Sequence, residues 1–414
     1  MAGSTASNAS DTARFRHWRR NSHAVGWGNL LTNLGWSGAF AFLPLMVREM
    51  HPNGSLELWT GIIAGAYTMV SFLSTPVWGV LADHYGRKSM VLRAGLGMGV
   101  GFFFVTLASD PWLFLVLLGL TGLANGFVPA GQALVATTSP PERMGGALAY
   151  IQSLAWVGNM LAPVLAALLM NILPLYRYLY GVASFTCFCA GLLALVVIRE
   201  VHARPAHPLR LNMRADLRQL WKVPGLKLLY FMSVVFALTV FGANAVVTLF
   251  TLRLLEAMPN YGGMGEAAWV AATAVGFTVA GVVALPFWGR MLNRHDPGKV
   301  LHLQLAGSLV TSLLVPLVQT PLQLAAARTI FALFIIGLQP TLVRMVRDRA
   351  PPGMDARTLS YATAMQQAGN AAGPMLAGLM APYLGLRAYF VFGCMVLATA
   401  LWLWHRQQKA ARAA

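Results

Sequence analysis

The sequence predicts an all-α integral membrane protein of twelve transmembrane helices arranged as two pseudo-symmetric six-helix bundles. Three observations carry this: a scarcity of charge, the length of the apolar runs, and the way basic residues alternate along the chain. Only 10% of the 414 residues are Asp, Glu, Lys or Arg and 57% are hydrophobic, whereas soluble domains carry roughly 25% charged residues. A water-facing surface of this size cannot be covered with so few charges.

Apolar runs of the length that crosses a hydrocarbon core of about 30 Å recur throughout. In order they cover 25–48, 57–81, 89–108, 112–136, 145–170, 177–198, 228–254, 267–289, 300–318, 321–343, 358–381 and 386–404. They are too long and too continuously apolar for barrel strands, and a lipid-exposed backbone must satisfy its own hydrogen bonds, so each is expected to be a helix. The segments outside these runs give a polar tail at 1–24, a basic linker at 199–227 and a short tail at 405–414, leaving six-helix halves at 25–198 and 228–404.

Basic residues test the layout. Twenty-five of the 30 Lys and Arg fall in the two tails and the even-numbered connections, and four, Arg48, Arg177, Arg253 and Arg387, in the odd-numbered ones. The positive-inside rule then places both tails in the cytoplasm and requires an even number of crossings. This distribution also accounts for the net charge of +17 without a nucleic-acid partner, because the basic groups form no single patch and no nucleic-acid motif is present. Cys187, Cys189 and Cys394 all lie inside apolar runs, which argues against a disulfide framework or a zinc site. The first 24 residues read as a tail before an uncleaved first span.

The chain repeats itself. Residues 138–170 align without a gap on 349–381, and ten of the 33 pairs are identical, including Tyr150/Tyr361, Gly158/Gly369, Asn159/Asn370 and Pro163/Pro374. Pro76-Val-Trp78-Gly79 recurs as Pro286-Phe-Trp288-Gly289. Parallel six-helix halves are a transporter architecture, with substrate held near the bilayer midplane between them.

Between spans two and three stands Gly79-Val-Leu-Ala-Asp83-His-Tyr-Gly86-Arg87-Lys88. Gly86 suits the turn, Gly79 a close helix approach, and Asp83 can accept from a helix N-terminus or pair with Arg. This segment resembles the signature loop of the major facilitator superfamily, G-x-L-A-D-x-x-G-R-[KR], at every fixed position. In span eleven, Gly369-Asn-Ala-Ala-Gly373-Pro374-Met-Leu-Ala-Gly378 is similar to the antiporter motif of the drug/proton antiporters; span five keeps Gly158 and Pro163 but has Ala162 in the middle position. The resemblance spans the whole chain and is greatest to bacterial multidrug exporters of the MdtG type. It implies alternating access, a gate built from Gly79, Asp83, Gly86, Arg87 and Lys88, and helix bends at Pro163 and Pro374. It also implies a cavity lined by spans one, two, four, five, seven, eight, ten and eleven.

Polar and aromatic residues at helical spacing mark the expected substrate cavity: Asn29, Asn33, Trp36 and Phe40 on span one, Asn125 on span four, Gln152 and Trp156 on span five, Asn244 on span seven, Arg328 on span ten and Gln367 on span eleven. Such groups are costly against lipid and should face water or one another. Arg328 is the one basic residue well inside a span. Whereas the family's exporters carry an arginine in span four, Leu118 or its neighbour stands there in this chain. All 13 carboxylates lie at span ends or in loops, so proton coupling follows from the resemblance, with Asp83 the best-placed titratable group and His302 a lesser one. The expected function is proton-coupled export of amphipathic, drug-like small molecules by a monomer in the bacterial inner membrane, with no cofactor, no metal and no enzymatic activity. The alternative is export of a specific organic anion with Arg328 as counter-charge.

Overall fold

The computed structural model describes residues 15–173, 175–200, 218–258, 261–351 and 354–413. Most of the expected linker at 199–227 lies outside these, as do the side chains of Gly79 and Asp83. The described residues form helices α1 (Trp18–Ala41), α2 (Leu43–Glu49), α3 (Leu56–Tyr85), α4 (Arg87–Thr106), α5 (Pro111–Ala124), α6 (Phe127–Thr138), α7 (Pro141–Leu169), α8 (Tyr178–Val197), α9 (Leu226–Ala257), α10 (Glu266–Arg294), α11 (Pro297–Ser312), α12 (Pro321–Asp348), α13 (Asp355–Leu384) and α14 (Leu386–Ala413). No strand occurs among them. Among the described residues ten spans, one of them α5 with α6, are long and apolar enough to cross a membrane, and the bent pair α1–α2 makes an eleventh. The remaining predicted span, span eleven, is α13; it is 30 residues long but carries Gln366, Gln367 and Asn370, which lower its apolarity.

Two predicted single helices are broken. Span one bends by 52° between α1 and α2, because Pro44 in the first turn of α2 has no N–H to continue the ladder. Span four breaks at Asn125-Gly126, where Gly126 has φ +127, a conformation that glycine adopts without a steric cost.

The chain divides into two compact units. The first holds the described residues of 1–40 and 73–208, the second those of 41–72 and 209–414. Relative to the sequence halves, residues 41–72 fall in the second unit. The first unit is built around Val25, Val91, Phe127, Leu134 and Ile151, with α4 and α8 in contact at Gly95 and Gly191. The second has a core of Leu229, Met232, Leu305, Ile335, Leu342 and Trp404.

The internal repeat reappears as mirrored contacts. In the first unit a Cβ on Gly158 would stand 2.5 Å from the Leu30 carbonyl oxygen; in the second, a Cβ on Gly369 would stand 2.6 Å from the Val234 carbonyl oxygen. Gly38 faces Ala162 at the first crossing and Gly242 faces Gly373 at the second. Trp78 Nε1 donates to Leu123 O at 2.8 Å, and Trp288 Nε1 to Leu333 O at 2.6 Å. Alanine in place of the middle glycine makes the first crossing looser: a methyl on Gly38 would meet Ala162 O at 3.1 Å, whereas one on Gly242 would run into the Gly373 Cα at 2.7 Å and into the Tyr389 hydroxyl. Overpacking of this kind costs about 1–3 kcal/mol. Gly242→Ala is therefore expected to lower the melting temperature in detergent by several degrees and Gly38→Ala by clearly less; equal losses would contradict the asymmetry.

Candidate functional site

The signature connection begins where α3 ends and Gly86, at φ +87, turns the chain into α4. The first N–H groups of a helix have no partner within it. Here the Glu200 carboxylate accepts from Arg87 N at 3.1 Å and from Lys88 N at 2.7 Å. That arrangement puts a negative charge on the positive end of the α4 dipole. The Lys88 ammonium donates to Leu195 O at 3.0 Å and Ile198 O at 2.7 Å, closing the C-terminal end of α8, and Arg87 Nη1 donates to Ala133 O of α6 at 2.7 Å. Asn21 brackets the next residue, its Nδ2 donating to Arg199 O at 2.9 Å and its Oδ1 accepting from Arg199 N at 3.0 Å. The loop's two basic residues thus bind the start of α4 to α6 and to the end of α8, and Asn21 ties that end of α8 to the beginning of α1. Glu200 was not singled out from sequence; its position directly after span six, beside the C-terminal carbonyls of that helix, was the available signal.

Three of the expected cavity residues, Asn29, Asn33 and Gln152, make amide hydrogen bonds in the first unit. Asn29 Nδ2 donates to Ile151 O at 3.1 Å, Asn33 Nδ2 to Asn29 O at 2.7 Å, and Asn159 Nδ2 to Asn33 Oδ1 at 3.1 Å. Gln132 Nε2 donates to Gln152 Oε1 at 2.8 Å. Asn29 is fully buried and its Oδ1 has no protein donor, which leaves an acceptor for water. Further along α1, Trp36 and Phe40 stack with ring centroids 5.0 Å apart, and Trp156 is half-buried on α7. Helix α7 runs on through Pro163, and α13 through Pro374.

Asn125 serves the break in span four. Its Oδ1 accepts from Gly126 N at 2.8 Å. Carbonyls released there are taken up by Arg93, which donates to Leu123 O at 2.9 Å and Asn125 O at 3.3 Å while its guanidinium lies 3.8 Å from the Trp78 ring centroid. Arg93 was not singled out from sequence; the Asn125-Gly126 pair was the available signal for the break.

In the second unit, Arg328 Nη2 donates to Asn244 Oδ1 at 3.2 Å, and Gln367 Oε1 accepts from Asn370 Nδ2 at 2.7 Å. Residues 41–72 are held there by three contacts. Arg48 pairs with Glu266 at 2.5 Å, Thr248 Oγ1 donates to Ala41 O at 3.0 Å, and α3 meets α13 backbone to backbone, where a Cβ on Gly378 would stand 2.6 Å from the Gly61 Cα. The contribution of Gly61, Arg48 and Glu266 was not legible from sequence.

Removing the carboxylate on α4 gives a direct check of the clasp around the signature loop. Glu200→Ala exposes two helix N–H groups and is expected to cost about 1–2 kcal/mol, read as roughly tenfold faster amide exchange at Arg87 and Lys88. Unchanged exchange would refute the assignment.

The Major Facilitator Superfamily matches this chain over residues 25–263 and 254–414. The multidrug resistance protein MdtG of Escherichia fergusonii is 30% identical over 392 residues, covering 94% of this chain and 95% of that protein. MdtG of an Escherichia coli strain is 31% identical over the same extent. Among solved structures, a mutant of the nucleoside transporter NupG superposes with a TM-score of 0.79 at 11% identity, covering 94% of this chain and 99% of that one. A D-xylose–proton symporter gives 0.76 at 13% identity, covering 94% and 97%. With a family match over nearly its full length, two units built on mirrored helix crossings and a signature loop locked between helices, the chain is a multi-pass membrane protein that belongs to the major facilitator superfamily.

Proposed function

We propose that this transporter is a proton-coupled secondary exporter of amphipathic, drug-like small molecules that works by alternating access. The observation that carries the reading is the 30% identity over 94% of the chain to multidrug resistance proteins. The chemistry of the first unit supports it. A stacked Trp36–Phe40 pair offers an apolar, polarisable face to aromatic cargo, and the neighbouring part-buried amides of Asn33, Asn159 and Gln152 supply hydrogen bonds without fixed charge. Such a surface accepts many shapes better than one.

In the proposed cycle the sequence halves 25–198 and 228–404 move as bodies, with the tails 1–24 and 405–414 in the cytoplasm and 199–227 linking them. The contacts of residues 41–72 with α9, α10 and α13 then seal the side away from the tails. Gly79, Asp83, Gly86, Arg87 and Lys88 act on the tail side, with Asp83 as the titratable group of the gate. Gly158 and Pro163 on α7, with Gly369, Gly373 and Pro374 on α13, hold the crossings about which the bodies turn. We further propose that the protein works as a monomer in the inner membrane.

Everted membrane vesicles test this directly. Extrusion of a cationic dye, collapsing when a protonophore is added, is expected; extrusion that survives the protonophore would remove proton coupling from the reading. Asp83→Asn is expected to slow turnover roughly tenfold, about 1.4 kcal/mol on the barrier, with substrate affinity unchanged, and an unaltered rate would contradict its gating role.

A further inference from the structure

Arg328 sits about 10 Å into α12 at 1.5 Å per residue and is only 5% exposed. A cation at such a depth costs at least about 2.5–3.5 kcal/mol unless something compensates it. The guanidinium has five N–H donors. One goes to Asn244 Oδ1 at 3.2 Å, and the charge lies 4.7 Å from the Phe277 ring centroid. Neither partner carries a negative charge, and among the described residues no carboxylate pairs with Arg328.

Arg328 lines a cavity between α9, α11, α12 and α14, whose other walls include Thr239, Ser312, Phe331, Tyr389 and Phe390. The hydroxyl protons here are already committed. Thr239 donates to Val235 O at 2.8 Å, Tyr389 to Leu238 O at 2.8 Å and Ser312 to Leu309 O at 2.7 Å. The uncommitted donors facing the cavity are therefore those of Arg328, so its occupant must be an acceptor. Water would meet the hydrogen bonds but leave the charge uncompensated; an anion meets both demands. Ser312 also touches Cys394 Sγ at 3.2 Å and can turn its hydroxyl to an anion at the cost of a single bond.

The room beside the guanidinium favours a small anion. The cavity has about 40 Å³ for water-sized molecules, about two or three waters, which suits a halide better than an organic carboxylate or sulfonate. A polar seam leads to it along α11. Gln304, Ser308 and Ser312 recur every fourth residue on one face; the Gln304 amide and the Ser308 hydroxyl are fully buried and have no protein partner, which calls for water along that face.

We propose that the second unit holds a resident halide-sized monovalent anion, chloride in a cell, on the guanidinium of Arg328, as a counter-ion that stabilises the α9–α11–α12–α14 packing and is distinct from the exported solute. The assignment does not depend on which solute is exported. It is tested on the purified full chain in detergent by comparing melting in sodium chloride, sodium bromide, sodium benzenesulfonate and sodium gluconate at equal ionic strength. Wild type is expected to melt about 2–4 °C higher in the two halides than in gluconate, with benzenesulfonate like gluconate; Arg328→Gln should erase the difference, and Arg328→Lys should retain part of it. A halide effect that persists in Arg328→Gln would assign it to the basic surface, and a larger effect of benzenesulfonate would make the site one for organic anions; either overturns the proposal. Should Arg328→Gln fail to fold, bromide located by anomalous scattering within hydrogen-bond reach of the Arg328 guanidinium in wild-type crystals sustains the proposal, and bromide absent from that position refutes it.

Discussion

The architecture depends on helices approaching until backbone meets backbone. Lipid gives two apolar helices little reason to associate, so their union rests on close packing, which small residues permit. Gly158 against Leu30 and Gly369 against Val234 provide it once in each unit. Packed interiors yield poorly to gradual deformation and shift between discrete arrangements. A unit pinned in this way can move as a body more readily than it can bend.

Residues 41–72 show where that constraint meets function. By sequence they end the first span and begin the second, yet they pack within the second unit through Gly61, Thr248 and the Arg48–Glu266 pair. Half-exposed ion pairs in water contribute about 0–1 kcal/mol, so the Arg48–Glu266 pair by itself adds little to this packing. The backbone contact between Gly61 and Gly378 gives it shape specificity. In the transport cycle we propose, these contacts form one of two alternating closures, and the clasp around Glu200 keeps the signature loop in place on the other side.

Much of the fold was legible because hydropathy and charge placement report directly on the bilayer. The spans, the all-helical class and the repeat at Trp78 and Trp288 all follow from such signals. What stayed hidden depended on neighbours distant in sequence. Asn125 looks like a cavity wall in a one-dimensional reading, yet it closes a helix break with Arg93 and Trp78. Arg328 looks like a lone charge in the sequence, and only the fold brings the Asn244 amide and the Phe277 ring to it. Glu200 looks like a loop acid until the N-terminus of α4 is placed against it. Hydropathy also gives the length of span one without revealing that the chain past Ala41 packs with another set of helices.

In the cycle we propose, the packing of residues 41–72 on the second unit must be released for solute to cross. Arg48→Cys with Glu266→Cys, in a chain whose Cys187, Cys189 and Cys394 are replaced by serine, can be bridged by a short, reducible bifunctional thiol reagent. Transport in vesicles is predicted to stop when bridging is complete and to return on reduction. Undiminished transport by the fully bridged protein would contradict the account.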